Sequence, residues 1–316
     1  MTPAPAPLHA DMAGGPDQGR AFWLQTPDDV RIRVGVWTPE GADRGTVLMF
    51  PGRTEYIEKY GDFAREMAER GFATLAIDWR GQGLADRLLP DPLLGHVGRF
   101  TDYQRDLAAA LDLARELNLP KPWHLVAHSM GGAIGLRAVM EGLPVASACF
   151  SAPMWNIHMA PAMRPISNLI ATVGPMFGMS GKRVPSTSAE GYVTVSPFED
   201  NMLTRDPDMY RMMQTQLEQV PDLSLGGPTI GWLGQSLQEC RYLAARPSPD
   251  MPCLTFLGTN ERIVDVPAIH DRMTRWPGGK LEMVQDAEHE VIMEVPTTRK
   301  PIFDQMAEHF EQHAGR

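Results

Sequence analysis

The stretch that decides the fold is HLVAHSMGGAIGLRAVM, residues 124–140. Its apolar beginning predicts a buried strand, and residues 133–140 resemble a helix. Ser129 lies where the two meet, between the small residues Ala127 and Gly131. A serine on such a strand-to-helix turn can be held in a strained conformation with its hydroxyl exposed above the sheet. Larger side chains two positions before or after it would collide with the neighbouring strand and helix. Ser129 is therefore the candidate nucleophile.

Segments with strand and helix patterns alternate on both sides of this turn. The predicted strands are 21–26, 31–37, 46–50, 72–78, 123–127, 145–151, 254–257 and 280–284, and the predicted helices are 57–70, 102–117, 268–276 and 301–313. Alternation of this kind predicts an α/β fold, in which a mostly parallel sheet is covered by helices on both faces.

Residues 154–249 interrupt the alternation, because they are rich in Pro, Met and Ser and their apolar positions have helical spacing. We predict a helical cap there, with helices at 206–220 and 230–244, inserted into a core formed by residues 21–153 and 250–316. The cap has many methionines, which adapt to varied apolar shapes. Most are expected to form a small helical core, and an exposed subset is a candidate lining for an acyl tunnel. These methionines are Met154, Met159, Met163, Met176, Met179, Met202, Met209, Met212 and Met213.

Composition limits the classes of function. Lys and Arg number 29 against 39 Asp and Glu, which gives a net charge of −10 and argues against a nucleic-acid partner. No apolar run approaches the roughly 20 residues that span a bilayer, so we expect at most transient membrane contact through the cap. Residues 1–20 are rich in Pro, Ala and Gly and predict a disordered leader. The odd number of cysteines at long spacings favours reduced thiols in a cytoplasmic protein: Cys149, Cys240 and Cys253.

A serine hydroxyl needs an adjacent base, which is usually a histidine oriented by a carboxylate. His289 follows the last predicted strand, at the sheet edge where active sites of such folds collect. The acid is expected in the loop after strand 254–257, where Glu261 and Asp265 both qualify. Glu261 is preferred because it comes sooner after the strand, whereas Asp265 also suits the cap of the following helix.

An oxyanion in this site needs two backbone N–H donors. Met130 supplies one, because it follows the nucleophile and begins a helix. The other is expected from Arg53, in the loop that follows strand 46–50. The Arg53 guanidinium is in addition a candidate contact for a phosphate or a carbonyl.

Several motifs together resemble the α/β-hydrolases of the lysophospholipase and monoacylglycerol lipase group. Besides the Ser129 turn they are FPGRTE (50–55) with Lys59 and Tyr60, DWRGQG (78–83), GHV (95–97) with Tyr103 and Asp106, GTNERIVD (258–265), and His289 with Glu290. The likeness covers about residues 37–310 apart from the cap. This chain departs from the family pattern in having Ala127 in place of a glycine, and a glutamate at 261 where Asp is more common.

The resemblance implies a serine esterase that acts on a lysophospholipid or a monoacylglycerol through an acyl-enzyme. It also implies that Glu55 binds a substrate hydroxyl, although Glu55 could equally be a solvated loop carboxylate. No metal or organic cofactor is expected, because Met293 stands where a zinc helix would have its second histidine. The alternatives are a short-chain carboxylesterase and a hydrolase-fold protein that binds a small apolar ligand without turnover.

Overall fold

The computed structural model describes residues 3–160, 162–185 and 187–315, apart from the side chains at positions 163 and 166–168. The described residues form one sheet of nine strands, in the spatial order β1-β2-β3-β5-β4-β6-β7-β8-β9. In chain order these are β1 (Ala4–Ala6), β2 (Arg20–Gln25), β3 (Arg31–Trp37), β4 (Thr46–Phe50), β5 (Ala73–Asp78), β6 (Trp123–His128), β7 (Ser147–Ser151), β8 (Cys253–Gly258) and β9 (Lys280–Val284).

The predicted fold class is confirmed. The pairs β1–β2, β2–β3 and β3–β5 are antiparallel, and every later pair from β4–β5 to β8–β9 is parallel. The parallel strands therefore end on the same edge of the sheet, and the loops that follow β4, β6, β8 and β9 meet there.

Helices cover both faces of the sheet. They are α1 (Ala10–Ala13), α2 (Gly61–Glu69), α3 (Tyr103–Glu116), α4 (Met130–Met140), α5 (Met163–Val173), α6 (Tyr192–Val195), α7 (Pro207–Gln219), α8 (Ile230–Ala244), α9 (Val266–Thr274) and α10 (Pro296–Gln312). Strand β4 illustrates the two layers, because Leu48 and Phe50 pack in the core on one face and Val47 and Met49 in the core on the other. Within the described ranges, no helix is both long enough and apolar enough to cross a membrane.

The last helix begins earlier than predicted. We expected its start at Pro301, but α10 begins at Pro296 and contains Pro301. Proline is favoured at the first helical position, where its missing N–H costs nothing, and Pro296 takes that position. Pro301 lies little more than one turn further along and removes one backbone donor there.

The helices between β7 and β8 pack on the main body of the protein. Helix α7 begins where predicted, because the Asp206 carboxylate accepts hydrogen bonds from the first-turn N–H groups of Asp208 and Met209. Met209 and Met213 belong to the core on one face of the sheet, and Trp232 of α8 belongs to the core on the other. The expectation that most cap methionines form a separate helical core is therefore wrong for these residues.

Residues 3–20 are ordered, contrary to the disorder expected from the composition of residues 1–20. Strand β1 pairs with the edge strand β2, and the Arg33 guanidinium donates a 2.9 Å hydrogen bond to the Pro7 carbonyl. The backbone N–H of His9 donates to Glu58, and Gln216 donates to the Met12 carbonyl. Composition did not predict this order because the segment has no core of its own. It is held instead by hydrogen bonds to residues of the folded body.

Candidate active site

Ser129 lies on the turn between β6 and α4, with φ 49° and ψ −118°. A positive φ is unusual for a residue with a side chain, so neighbouring contacts must hold this conformation. The Ser129 N–H donates to the Ser151 carbonyl at 3.1 Å, and its own carbonyl accepts from Gly132 and Met154 at 2.8 Å each. The backbone of the candidate nucleophile is therefore fixed at both its amide and its carbonyl.

Close contacts explain why the residues around Ser129 are small. A Cβ atom at Gly131 would lie 2.1 Å from the Phe50 carbonyl oxygen, and one at Gly132 would lie 2.5 Å from Cβ of Pro153. Phe50 is the last residue of β4 and Pro153 follows β7, and these are the two strands that flank β6. Ala127 is buried near the end of β6, and a Cβ atom at Gly135 would lie 3.1 Å from its Cβ. Because residue 135 is glycine, alanine fits at position 127, where the family pattern has glycine.

His289 follows β9 and is buried beside the serine turn. Its Nδ1 lies 2.7 Å from Oε2 of Glu261, and its ring centroid lies 4.7 Å from that of His128. Its backbone N–H donates to the Met202 carbonyl, so a residue between β7 and β8 contributes to the placement of this ring.

The two candidate acids occupy different environments. The Glu261 side chain is fully buried, and its Oε1 accepts hydrogen bonds from the N–H groups of Ile263 at 2.6 Å and Val264 at 3.0 Å. Burial acts to raise the pKa of Glu261, but His289 and these two donors outweigh it, so the pKa lies below its ordinary value. Glu261 is thus ionised and in contact with the candidate base.

Asp265 instead caps a helix. Its Oδ1 accepts a 3.1 Å hydrogen bond from Ala268 in the first turn of α9, and its Oδ2 accepts from Asn156 and from Arg164. Its carboxylate is therefore engaged at the start of α9, and Glu261 is the candidate whose carboxylate contacts His289.

The loop after β4 lies directly against the serine. A Cβ atom at Gly52 would lie 3.1 Å from Cβ of Ser129. The Gly52 carbonyl accepts a 2.7 Å hydrogen bond from Nε2 of the buried Gln82. This carbonyl and the Arg53 N–H belong to one planar peptide unit and point in opposite directions, so Gln82 fixes the direction of that N–H. Gln82 belongs to the DWRGQG motif (78–83), but the sequence alone did not indicate this contact.

Beside the serine lies a buried ionic cluster of four residues: Glu55, Lys59, His128 and Glu290. The Lys59 ammonium lies 2.5 Å from Oε1 of Glu55 and 2.5 Å from Oε1 of Glu290. Nε2 of His128 lies 3.3 Å from Oε2 of Glu290. Glu55 also accepts hydrogen bonds from the Gly52 N–H and the Tyr60 hydroxyl, so it is a buried carboxylate that braces the loop after β4.

The charges in this cluster shift the pKa values of its members. Burial acts to raise the pKa of Glu290, but His128 and Lys59 outweigh it and hold the pKa well below its ordinary value. Burial acts to lower the pKa of His128, but Glu290 and Glu55 raise it above its ordinary value. At a pH below the raised pKa of His128, two carboxylates thus face an ammonium and an imidazolium. The sequence patterns gave His128 no role, although its position next to Ser129 was an available signal.

The same cluster contains the one group of possible metal ligands among the described residues. Donor atoms of Glu55, His128 and Glu290 all lie within 4.8 Å of one another. The Lys59 ammonium already lies between the two carboxylates, so their negative charge is compensated by the chain itself.

A cavity of about 590 Å³ is lined by residues of the serine turn, of the loop after β4 and of the ionic cluster. Its size falls within the range of about 300–1,000 Å³ that is usual for small-molecule sites. Its lining includes Ser129, His289, Arg53 and Glu55. Glu261 does not line the cavity but contacts His289. Its remaining wall is mostly apolar and includes Met154, Met202, Leu203, Met213, Leu217 and Leu225. Three of the cap methionines therefore line this cavity, whereas Met176 and Met179 are exposed.

Known proteins resemble this chain in sequence and in structure. A family model described as serine aminopeptidase, S33, matches residues 41–296. Lysophospholipase L2 of Escherichia coli (strain K12) is 33% identical, over 92% of this chain and 89% of that protein. A monoacylglycerol lipase of Mycolicibacterium smegmatis is 24% identical, over 75% of this chain and 77% of that protein.

The fold likeness extends to solved structures. A soluble variant of monoglyceride lipase from Saccharomyces cerevisiae, in complex with a substrate analogue, superposes with a TM-score of 0.71 at 18% identity. The match covers 92% of this chain and 94% of that one.

Proposed function

We propose that Ser129 cleaves esters of single-chain lipids, since the chain belongs to the serine aminopeptidase S33 family. Within that family it is a carboxylic ester hydrolase of the lysophospholipase and monoacylglycerol lipase group. One observation carries the proposal. The strained serine and His289, which is paired with Glu261, line a cavity whose wall is mostly apolar. Such a cavity suits a single acyl chain, whose burial is favourable in proportion to its apolar area.

In the proposed reaction, Oγ of Ser129 attacks the ester carbonyl and His289 takes the hydroxyl proton. Glu261 holds Nδ1–H of His289 and stabilises the imidazolium that forms. Collapse of the tetrahedral intermediate expels the alcohol, which receives the proton from His289, and leaves an acyl-serine. Water then attacks the acyl-serine after His289 has taken one of its protons, and the fatty acid leaves as the serine recovers its hydrogen.

The oxyanion of both tetrahedral intermediates is proposed to accept hydrogen bonds from the N–H groups of Met130 and Arg53. The first lies at the beginning of α4, where the helix dipole adds to the stabilisation. The second is supported by the packing of the loop after β4 on Ser129. Glu55 lines the same cavity, and we propose that its Oε1 accepts a hydrogen bond from a hydroxyl of the leaving alcohol.

A fluorophosphonate probe tests the nucleophile. We expect it to label the wild type, and Ser129→Ala to abolish the labelling. Ser196→Ala is the matched control, because Ser196 lines the same cavity and should leave the labelling intact. An unlabelled wild type would instead favour a protein that binds an apolar ligand without turnover.

A turnover panel tests the substrate class. We expect lysophospholipids or monoacylglycerols with long acyl chains to give a higher kcat/KM than p-nitrophenyl acetate. The reverse order would make the protein a short-chain carboxylesterase and would contradict the lipid assignment.

We also propose that the cap touches lipid surfaces transiently. Support comes from Met176 and Phe177, which follow α5 and whose side chains are 80% and 76% exposed. Replacing both by serine should reduce hydrolysis of lipid in vesicles and leave hydrolysis of a dissolved ester unchanged. Equal rates on vesicles would contradict this contact.

We further propose a cytoplasmic location, supported by the free and buried state of Cys149, Cys240 and Cys253. Cell fractionation tests it, and recovery of the protein outside the cytoplasm would overturn it.

A further inference from the structure

The Arg53 guanidinium lies at the junction between the loop after β4 and the cap. Its Nη2 donates a 2.6 Å hydrogen bond to the Gly226 carbonyl, and its Cζ lies 5.2 Å from the ring centroid of Trp232. Arg53 also lines the cavity that contains Ser129. A cation is thus held within reach of the substrate site by contacts that do not neutralise its charge.

Most of the buried cations among the described residues have carboxylate partners. Arg33 pairs with Glu58 and Asp78, and Arg137 pairs with Glu239. Lys59, the other cation of the cavity wall, pairs with two carboxylates as described above. Arg272 has none, but it donates to the carbonyls of Leu243 and Arg246 and to the Ser248 hydroxyl. Among the described residues, no carboxylate lies within ion-pair distance of Arg53.

Arg53 also has unused hydrogen-bonding capacity. Its Nε is buried without a partner, although buried donors are nearly always satisfied. Burial lowers the pKa of Arg53 to about 10, so the guanidinium stays charged at neutral pH. A buried donor without a partner is costly unless something else satisfies it.

We propose that the Arg53 guanidinium binds the phosphate of a lysophospholipid headgroup, and that it thereby selects lysophospholipids over monoacylglycerols. This inference rests on the proposed function of Ser129. Guanidinium groups match phosphate oxygens through paired N–H donors, which makes arginine the preferred residue for such recognition.

The covalent spans agree with this assignment. The Arg53 N–H is a proposed oxyanion donor, so the arginine backbone lies beside the ester carbonyl. Five bonds separate Cα from Cζ in arginine, and six separate the ester carbonyl carbon from phosphorus in a 1-acyl lysophospholipid, so the extended spans are about 6 Å and about 7 Å. A headgroup whose ester carbonyl faces Ser129 therefore has its phosphate within reach of the guanidinium.

The test compares two substrates with the same acyl chain, a 1-acyl lysophosphatidylethanolamine and the corresponding 1-monoacylglycerol, both below their critical micelle concentrations. We expect Arg53→Met to lower kcat/KM for the lysophospholipid about 10- to 100-fold more than for the monoacylglycerol, as loss of a charged hydrogen bond predicts. Arg53→Lys should restore part of the difference. Arg87→Met is the matched control, because Arg87 also donates to cap carbonyls, those of Asp222 and Ser224, but lines a different pocket.

Each outcome has a distinct meaning. Equal losses on both substrates would show that Arg53 only holds the loop or the cap, and would overturn the inference. If inorganic phosphate changed the monoacylglycerol rate through Arg53 while Arg53→Met left the substrate ratio unchanged, the site would bind a free anion and the headgroup assignment would be wrong. A wild type inactive on both lipids and on p-nitrophenyl esters would refute the proposed function itself.

Discussion

Replacement of Glu261 by glutamine separates the two candidate acids most sharply. Oε1 of Glu261 accepts two backbone N–H groups and Oε2 contacts Nδ1 of His289 at 2.7 Å. Glutamine has only one oxygen. If that oxygen keeps the N–H groups of Ile263 and Val264, the amide nitrogen faces Nδ1 and presents a donor to it. The ring must then carry its proton on Nε2, which prevents it from taking the serine proton.

The expected loss follows from this wrong tautomer. Replacing the acid of a Ser-His-Asp triad by its amide lowers kcat by about 10⁴-fold, so we expect Glu261→Gln to do the same here. At about 1.36 kcal/mol for each factor of ten, the loss corresponds to about 5.5 kcal/mol of transition-state stabilisation. The fold should persist, since the glutamine oxygen still accepts both backbone hydrogen bonds.

Asp265→Asn is the matched control. The asparagine oxygen can still cap α9 by accepting from Ala268, and the charge lost faces Arg164, whose side chain is 51% exposed. The amide nitrogen cannot accept from Asn156 and Arg164, so the start of α9 loses some stability, but Asp265 does not contact His289 and activity should remain near the wild-type value. The assay is stopped-flow hydrolysis of a p-nitrophenyl ester by both variants. A fall of about 10⁴-fold in Asp265→Asn, with Glu261→Gln nearly unaffected, would refute the assignment.

Three further predictions concern the surroundings of the serine. Gly131→Ala should destabilise the fold by about 1–3 kcal/mol in thermal unfolding, because its Cβ would lie 2.1 Å from a backbone oxygen, whereas Gly98→Ala, with 3.6 Å of clearance, should not. Gln82→Leu frees the Gly52 carbonyl and should lower kcat by about 10- to 100-fold with little change in KM, and an unchanged kcat would contradict the role of Gln82 in orienting the Arg53 N–H. Because the pKa of His128 is raised in the folded state, its protonated form stabilises the fold fully below about pH 6.5 and ceases to do so as the pH rises through the folded-state pKa. Because the pKa of Glu290 is lowered, its carboxylate stabilises the fold above about pH 4.5. The difference in Tm between wild type and His128→Gln should therefore be largest between these values and shrink at alkaline pH, and a constant difference would contradict it.

Local pattern in the sequence was enough to predict the fold class. The apolar run before Ser129, the small residues beside it and the alternation of strands and helices each depend on residues close together in the chain. Backbone sterics and burial act at that range, so a strand that ends in a serine between small residues leaves few structural options. The same range explains the correct start of α7, where the Asp206 carboxylate caps the first turn.

Contacts between distant segments were decided only in three dimensions. Nothing in the composition of residues 1–20 indicates that Arg33 donates a hydrogen bond to Pro7 and Gln216 one to Met12. The sequence likewise named Glu261 and Asp265 as rivals, and the contact that distinguishes them joins two loops 28 residues apart.

The sequence by itself therefore determined the α/β fold class, the serine turn and a short choice of candidate residues around it. Only the tertiary structure decided which carboxylate lies against His289, that Gln82 orients the loop after β4, and that Arg53 enters the cavity without a carboxylate partner. The physical reason is that charge and hydrogen-bond partners are chosen by proximity in space, which the packing of the whole chain sets.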